Sequence, residues 1–168
     1  MKIVSVFVAS VIFLFSVNEG LSMSIFSKGE DVEAVLFSPL QGQLTYHGEP
    51  ASNADISVWI AWKDQKGETF HYKSDGDGYF SIPKQSVFIK DSPFSQLSVG
   101  QTVTVDFEGH SFLIWKAGKS SPHLFGELGG EPVGLTCELS RDDMDAHLEY
   151  ALLETKCVWK DVLTIKEE

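Results

Sequence analysis

The residues with chemistry to offer are few and scattered. Five histidines stand at positions 47, 71, 110, 123 and 147, and no two are spaced i, i+2 or i+4, the spacings that put two imidazoles on one face of a strand or helix. His47 and His71 fall on the polar sides of alternating segments, which is ordinary surface use. The run Ser74-Asp75-Gly76-Asp77-Gly78 offers two carboxylates in the manner of a calcium loop. The bidentate Glu that closes such a loop does not follow at the right offset, so a plain turn is the simpler reading. Asp142, Asp143 and Asp145, near Glu149, form a second oxygen-rich stretch, read as a solvated acidic loop. Gly118-Lys119-Ser120 ends like a phosphate-binding loop, but the position that needs the first glycine holds Leu113. The patterns G-x-S-x-G and H-E-x-x-H are absent. These residues nominate no catalytic group, no metal site and no cofactor, and the expectation is a protein that is not an enzyme.

What remains is contact. The formal net charge is −11. An acidic chain with no basic tract is repelled by phosphate backbones and anionic lipid surfaces, which argues against nucleic acid and membrane-surface ligands. Acidity by itself serves solubility; its sharper implication is a protein partner, a basic one fitting the charge. Asp142, Asp143 and Asp145 are candidate partner contacts. Trp59 is another, because it falls on the side of its segment opposite Ile56, Val58, Ile60 and Trp62. Exposed, it would meet a protein or a sugar; covered, it would lie under a loop.

The elements that must position these groups read as strands. Leu44 and Tyr46 alternate with polar neighbours, as do Ile56 to Trp62, Phe70 and Tyr72, Phe80 and Ile82, Val103 to Phe107, and Val133 to Leu139. Period-2 alternation marks half-buried strands, and the breaks between them are turn-rich, as at Asp64 to Gly67, Ser74 to Gly78, Glu108-Gly109 and Gly129-Gly130. Phe112-Leu113-Ile114-Trp115 is apolar on both faces, which suggests a strand covered on both sides. Asp142 to Leu153 fits either period. A strand over 148–159 beside the Cys137 strand, with Ser140 to Asp145 as a loop, is favoured. Residues 117–131 form the longest loop candidate, a usual place for function on a β-scaffold.

One stretch carries a resemblance. Gly42, Leu44, Gly48, Pro50, Ala54 and Ile56, followed by Ser74, Asp77, Gly78 and Phe80, fit G-x-[VL]-x-x-x-G-x-P-x-x-x-A-x-[VI] and then T-x-x-D-G-x-F, with Ser74 where threonine is usual. The stretch resembles the carboxypeptidase regulatory-like, or transthyretin-like, β-sandwich family over residues 42–83. The resemblance implies a fold: all-β, a single antiparallel β-sandwich of transthyretin-like or immunoglobulin-like kind. Members of that family are mostly accessory, adhesive or carrier modules, so no single function comes with it. Physical reasons support the turn residues: Gly48 and Gly78 suit positive φ, Pro50 stiffens the exit from a turn, and Asp75 and Asp77 can accept hydrogen bonds from nearby amides.

Compartment follows from the start of the chain. Lys2 precedes an apolar run from Ile3 to Phe15, and small residues follow at Gly20, Ser22 and Ser24. That is the order of a secretory leader, and the run is shorter than the roughly 20 residues of a spanning helix. The organisation expected is a leader at 1–24, a polar linker at 25–33 and a sandwich at 34–166. The protein would be periplasmic or secreted, with no membrane insertion after cleavage. In an oxidising compartment the pair Cys137 and Cys157 reads as a disulfide. Free thiols or a metal pair are the alternatives, and no C-x-x-C spacing supports the latter. The function expected is that of an exported, non-catalytic interaction module of the cell envelope. A periplasmic immunity or inhibitor protein, or a structural envelope protein, is the alternative.

Overall fold

A computed structural model describes residues 31–63, 66–90, 97–148 and 151–160, the side chains of 146–148 excepted. The expected leader, and Glu149, lie outside these residues. Thirteen strands follow in chain order: β1 (Asp31–Phe37), β2 (Leu40–Tyr46), β3 (Glu49–Pro50), β4 (Asp55–Trp62), β5 (Glu68–Lys73), β6 (Tyr79–Ile82), β7 (Gln85–Lys90), β8 (Val99–Phe107), β9 (His110–Lys119), β10 (Val133–Glu138), β11 (Met144–Leu148), β12 (Ala151–Thr155) and β13 (Cys157–Lys160). No helix occurs among the described residues. The fold is an all-β sandwich. One sheet has the order β11-β12-β9-β8-β4-β5, and the other runs β13-β10-β2, with β3 and β6 pairing along β2. A ribbon of β1 and β7 completes the set. Every pairing is antiparallel except that of β10 with β2.

The alternating residues meet between the sheets. Ile56, Val58, Val103, Val105 and Leu153 from the six-stranded sheet pack in one core with Leu40, Leu44, Phe80, Ile82 and Leu135 from the other. Burial of such side chains contributes roughly 1.5–3 kcal/mol each. Cys137 and Cys157 face each other in register across β10 and β13 and are bonded, a cross-link within that core.

The structure departs from the sequence reading in several segments. Phe112 to Trp115 is not covered on both faces by simple alternation. Val103 pairs with Trp115 and Thr104 with Leu113, so Ile114 is the extra residue of a β-bulge. The bulge turns Ile114 and Trp115 inward together, and both are buried. Residues 148–159 do not form one strand beside β10. β12 lies between β11 and β9, and only β13 pairs with β10. The chain changes sheets at Lys156, whose N–H donates to the Ile114 carbonyl freed by the bulge (3.1 Å). The Ser140 to Asp145 loop ends early, because β11 begins at Met144. The 25–33 linker likewise gives way at Asp31, where β1 starts and pairs with β7.

The 74–80 turn shows why the chain uses these residues. Asp75 Oδ1 accepts from Asp77 N (2.9 Å) and Tyr79 N (2.8 Å), folding the turn on itself. Ser74 Oγ, buried, donates to Ala51 O (2.7 Å) and accepts from Ala54 N (2.9 Å). Gly78 then sits where β6 takes over from β3 along β2. Its carbonyl accepts from Leu44 N (2.8 Å), its φ is +78°, and a Cβ there would stand 2.5 Å from Leu44 O. Gly78→Val therefore combines a disfavoured φ with a backbone clash. We expect a loss of roughly 2–5 kcal/mol, read as a lower denaturant midpoint. Wild-type stability would mean the strands do not approach this closely.

Candidate functional site

The outer side of the six-stranded sheet carries a shallow trough. Side chains directly opposite on neighbouring strands normally stand about 4.5–5.5 Å apart and cover the backbone between them. Here Gly100 of β8 pairs with Gly118 of β9, so two opposed side chains are missing and the floor is backbone. The trough has a volume of about 440 Å³. Leu152 of β12, opposite Gly118 and 64% exposed, forms one wall. Trp59 of β4 forms the other. Its indole lies 3.4 Å from where a Cβ on Gly100 would stand, and its Nε1 donates to the Lys66 carbonyl (3.3 Å). Trp59 is thus half-buried: one edge is held by the β4–β5 turn and the rest lines the trough.

A row of polar side chains runs beside the floor. Register pairs Trp59 with Thr102, Thr102 with Lys116, Lys116 with Glu154, and Glu154 with Asp145. The Lys116 ammonium is 3.3 Å from the Glu154 carboxylate, which leaves Asp145 as the unneutralised charge of the row. Of the candidate contacts, then, Trp59 and Asp145 come together in this trough. Asp142 and Asp143 lie outside its lining; Asp142 is exposed, and Asp143 pairs with Lys156 (3.0 Å). Among the described residues no three His, Cys, Asp or Glu side chains gather into a metal-binding group.

Behind the floor lies a cluster that sequence reasoning missed. Lys119, at the end of β9, is fully buried, and its ammonium is 2.6 Å from Glu127 Oε2, a carboxylate carried by the long loop after β9. Ser38 donates to the same carboxylate through its N–H (2.6 Å) and its hydroxyl (2.9 Å). Gln101 Nε2 donates to the Leu36 carbonyl (2.6 Å) and, more weakly, to Glu127 (3.3 Å), while Trp115 Nε1 donates to Gln101 Oε1 (3.2 Å). Phe125 N closes the loop onto Ser38 Oγ (2.7 Å). Burial pushes the Lys119 ammonium down from its ordinary pKa, against the pull of Glu127. One signal was available: alternation from Trp115 through Ala117 puts Lys119 on the inward side. The cluster is buried, and it ties β1, β8, β9 and the long loop to one another.

The turn residues sit elsewhere, on the edge of the smaller sheet. Gly48 (φ +84°) and His47 (φ +52°) form the β2–β3 turn, and Glu138 at the end of β10 receives both of their N–H groups at 3.0 Å. Burial pushes the Glu138 carboxyl up, but hydrogen bonds from Ser140, Thr45 and Gly48 outweigh it and hold its pKa at about 2. Pro50 and Asp77 are exposed, and the Asp77 carbonyl accepts from Gln43 Nε2 (2.9 Å).

Residues 40–142 of the 168 match the family described as Domain of unknown function (DUF6795), and the chain belongs to that family. No curated protein and no solved structure matches it. The matched stretch runs from β2 to just past β10. It takes in Trp59, Gly100, Gly118, Lys119 and Glu127, while Asp145 and Leu152 lie beyond it.

Two expectations follow. Lys119→Met leaves Glu127 buried without its cation and should cost about 3–5 kcal/mol, whereas adding Glu127→Leu should recover part of that loss. Denaturant midpoints of the single and double variants decide it; losses that simply add, or more than add, would contradict the pairing. Glu138 is more acidic folded than in an unfolded chain, where a glutamate has a pKa near 4.3. Its contribution is therefore nearly complete above about pH 4.5 and is lost as pH falls through about 2. Glu138→Gln should cost about 1–2 kcal/mol at neutral pH and progressively less as pH falls through that range, measured by urea unfolding.

Proposed function

We propose that this member of the DUF6795 family is an exported, non-catalytic binding module that acts in the periplasm or outside the cell by contact with another protein. The observation that carries the reading is the trough over Gly100 and Gly118. It places an aromatic wall, an exposed leucine and an unneutralised carboxylate around bare backbone on an otherwise polar sheet face. Exposed apolar surface rimmed by polar groups is what contact sites look like. The chain's net charge of −11 favours a basic partner. Lys2 with the apolar run after it, and a bonded cysteine pair in the core, support export.

Within this reading, an immunity or inhibitor protein against a basic toxin fits the acidity best, and a structural envelope protein fits the cross-linked sandwich. The sandwich is read as carboxypeptidase regulatory-like, or transthyretin-like, over residues 42–83, a view supported by the close approach of Gly78 to Leu44.

The test uses the exported chain as bait on periplasmic extract at low and high salt. Gly118→Leu fills the trough, and its Cβ meets no atom within 4 Å, so the fold should tolerate it. The captured protein should be lost on Gly118→Leu and on Trp59→Ala. Asp145→Lys should slow its association, and added salt should weaken capture by the wild type, since exposed charges are screened over roughly 8–10 Å at physiological ionic strength. Capture that survives Gly118→Leu would overturn the trough as the contact surface.

A further inference from the structure

A second cavity opens on the other face of β4. Residues 59 and 62 of a strand point to opposite sides, so Trp62 faces away from the trough, toward the β1–β7 ribbon. The cavity there has a volume of about 600 Å³; Leu36, Ile60, Trp62, Phe70 and Val87 make its apolar wall, and the other half of its lining is polar, charged or glycine, Gln85, Lys66 and Glu68 among it. Small-molecule sites run from roughly 300 to 1,000 Å³, with mostly apolar walls and a few placed polar groups.

The backbone builds this site in a specific way. Val35 pairs with Ser86 and Phe37 with Gln85, so Leu36 is the extra residue of a bulge in β1. Bulges re-aim side chains. Here the bulged residue lines the cavity, while its carbonyl accepts from Gln101 of the buried cluster. Leu36 and Ile60 are buried, but Trp62, Phe70 and Val87 are only half-buried. A sandwich end sealed by its own side chains would cover an indole and a phenyl ring; this one leaves both facing the cavity.

Polar groups sit at the edge. The half-buried Gln85 amide donates at 3.5 Å to the Tyr72 hydroxyl and at 3.4 Å to the Pro83 carbonyl. Both are beyond the 2.7–3.2 Å of a good N–H···O bond, about the reach at which an amide would gain by a closer partner. The ammonium of Lys63 stands 4.0 Å from the Trp62 ring centroid. Lys63 is not itself among the lining residues; within the lining, Lys66 and Glu68 carry opposite formal charges, so the wall has no net charge to favour a cation or an anion.

We propose that this cavity binds one small, neutral, apolar molecule carrying a single hydrogen-bonding group, with Trp62 and Phe70 holding its apolar body and Gln85 its polar end. The site is separate from the trough and does not depend on what the trough binds.

The probe is 6-propionyl-2-(dimethylamino)naphthalene, which is neutral and apolar and has one ketone oxygen to accept from the Gln85 amide N–H. An anionic probe of similar size is 8-anilino-1-naphthalenesulfonate. Titrated into the full exported chain, the neutral probe should give saturable, blue-shifted fluorescence at one site, and the sulfonate should bind about tenfold more weakly. Val87→Trp, placed to fill the cavity, should abolish the signal. Phe70→Ser is the second reading should that variant fail to fold, and should weaken binding about tenfold. Gln85→Leu should weaken the neutral probe several-fold, and Gly118→Leu should leave it unchanged. Unsaturable binding, or undiminished binding by folded Val87→Trp or Phe70→Ser, would overturn the site. A sulfonate bound as tightly as the neutral probe would overturn its preference for a neutral ligand.

Discussion

The buried pair of Lys119 and Glu127 is the constraint on which the sandwich is organised. A carboxylate and an ammonium taken out of water lose several kcal/mol of hydration each, and each is tolerable only while the other stays in place. Glu127 comes from a loop with no regular structure, so the pair fixes that loop against β9. Through Ser38 it also fixes the corner between β1 and β2, and through Gln101 it reaches Trp115. Every buried side-chain nitrogen and oxygen among the described residues has a partner. The polar cluster is therefore complete, and it backs the segments of β8 and β9 whose glycines make the trough floor. The outer surface is bare there while the backbone beneath it is braced.

The β4–β5 turn serves both faces of its sheet. The Lys66 carbonyl holds the Trp59 indole on the outside, and the same turn borders the cavity that Trp62 lines on the inside. The two candidate sites share a hairpin and little else. One is an open trough on the outer face, and the other a recess on the opposite face toward the β1–β7 ribbon.

Much of the fold was legible because strands with one wet face alternate, and Ile56, Val58 and Ile60 against Ser57 and Trp59 could hardly be anything else. Legibility ended where alternation stopped tracking a single partner. The bulge at Ile114 made two consecutive residues face inward, and that looked like burial on both sides. The run from Ala151 to Lys160 keeps its alternation while crossing from one sheet to the other, and alternation carries no record of which neighbour a strand has. β7 escaped notice because Phe88, on its solvent side and 73% exposed, blurs the pattern. The sites were legible in fragments. Trp59 stood out as a large side chain on the wrong face. Gly100 and Gly118 contribute by lacking side chains, and their opposition exists only in the register. Glu127 is one acid among the 24 Asp and Glu of the chain, and only the fold of its loop sets it on Lys119.

The way β13 is attached also sets how the molecule would bear load. An antiparallel edge strand pulled from its end unzips one pair at a time, since force falls on a single hydrogen bond at each step. Tension applied beyond Lys160 would open the β13–β10 ladder only as far as Cys157, where the covalent bond to Cys137 takes over. From there the force enters β10, whose parallel neighbour β2 is bonded to it at Thr136 to Glu138. Bonds loaded side by side along a strand must yield together. Against an opposing pull along β2, the cross-link thus converts a peeling geometry into a shearing one.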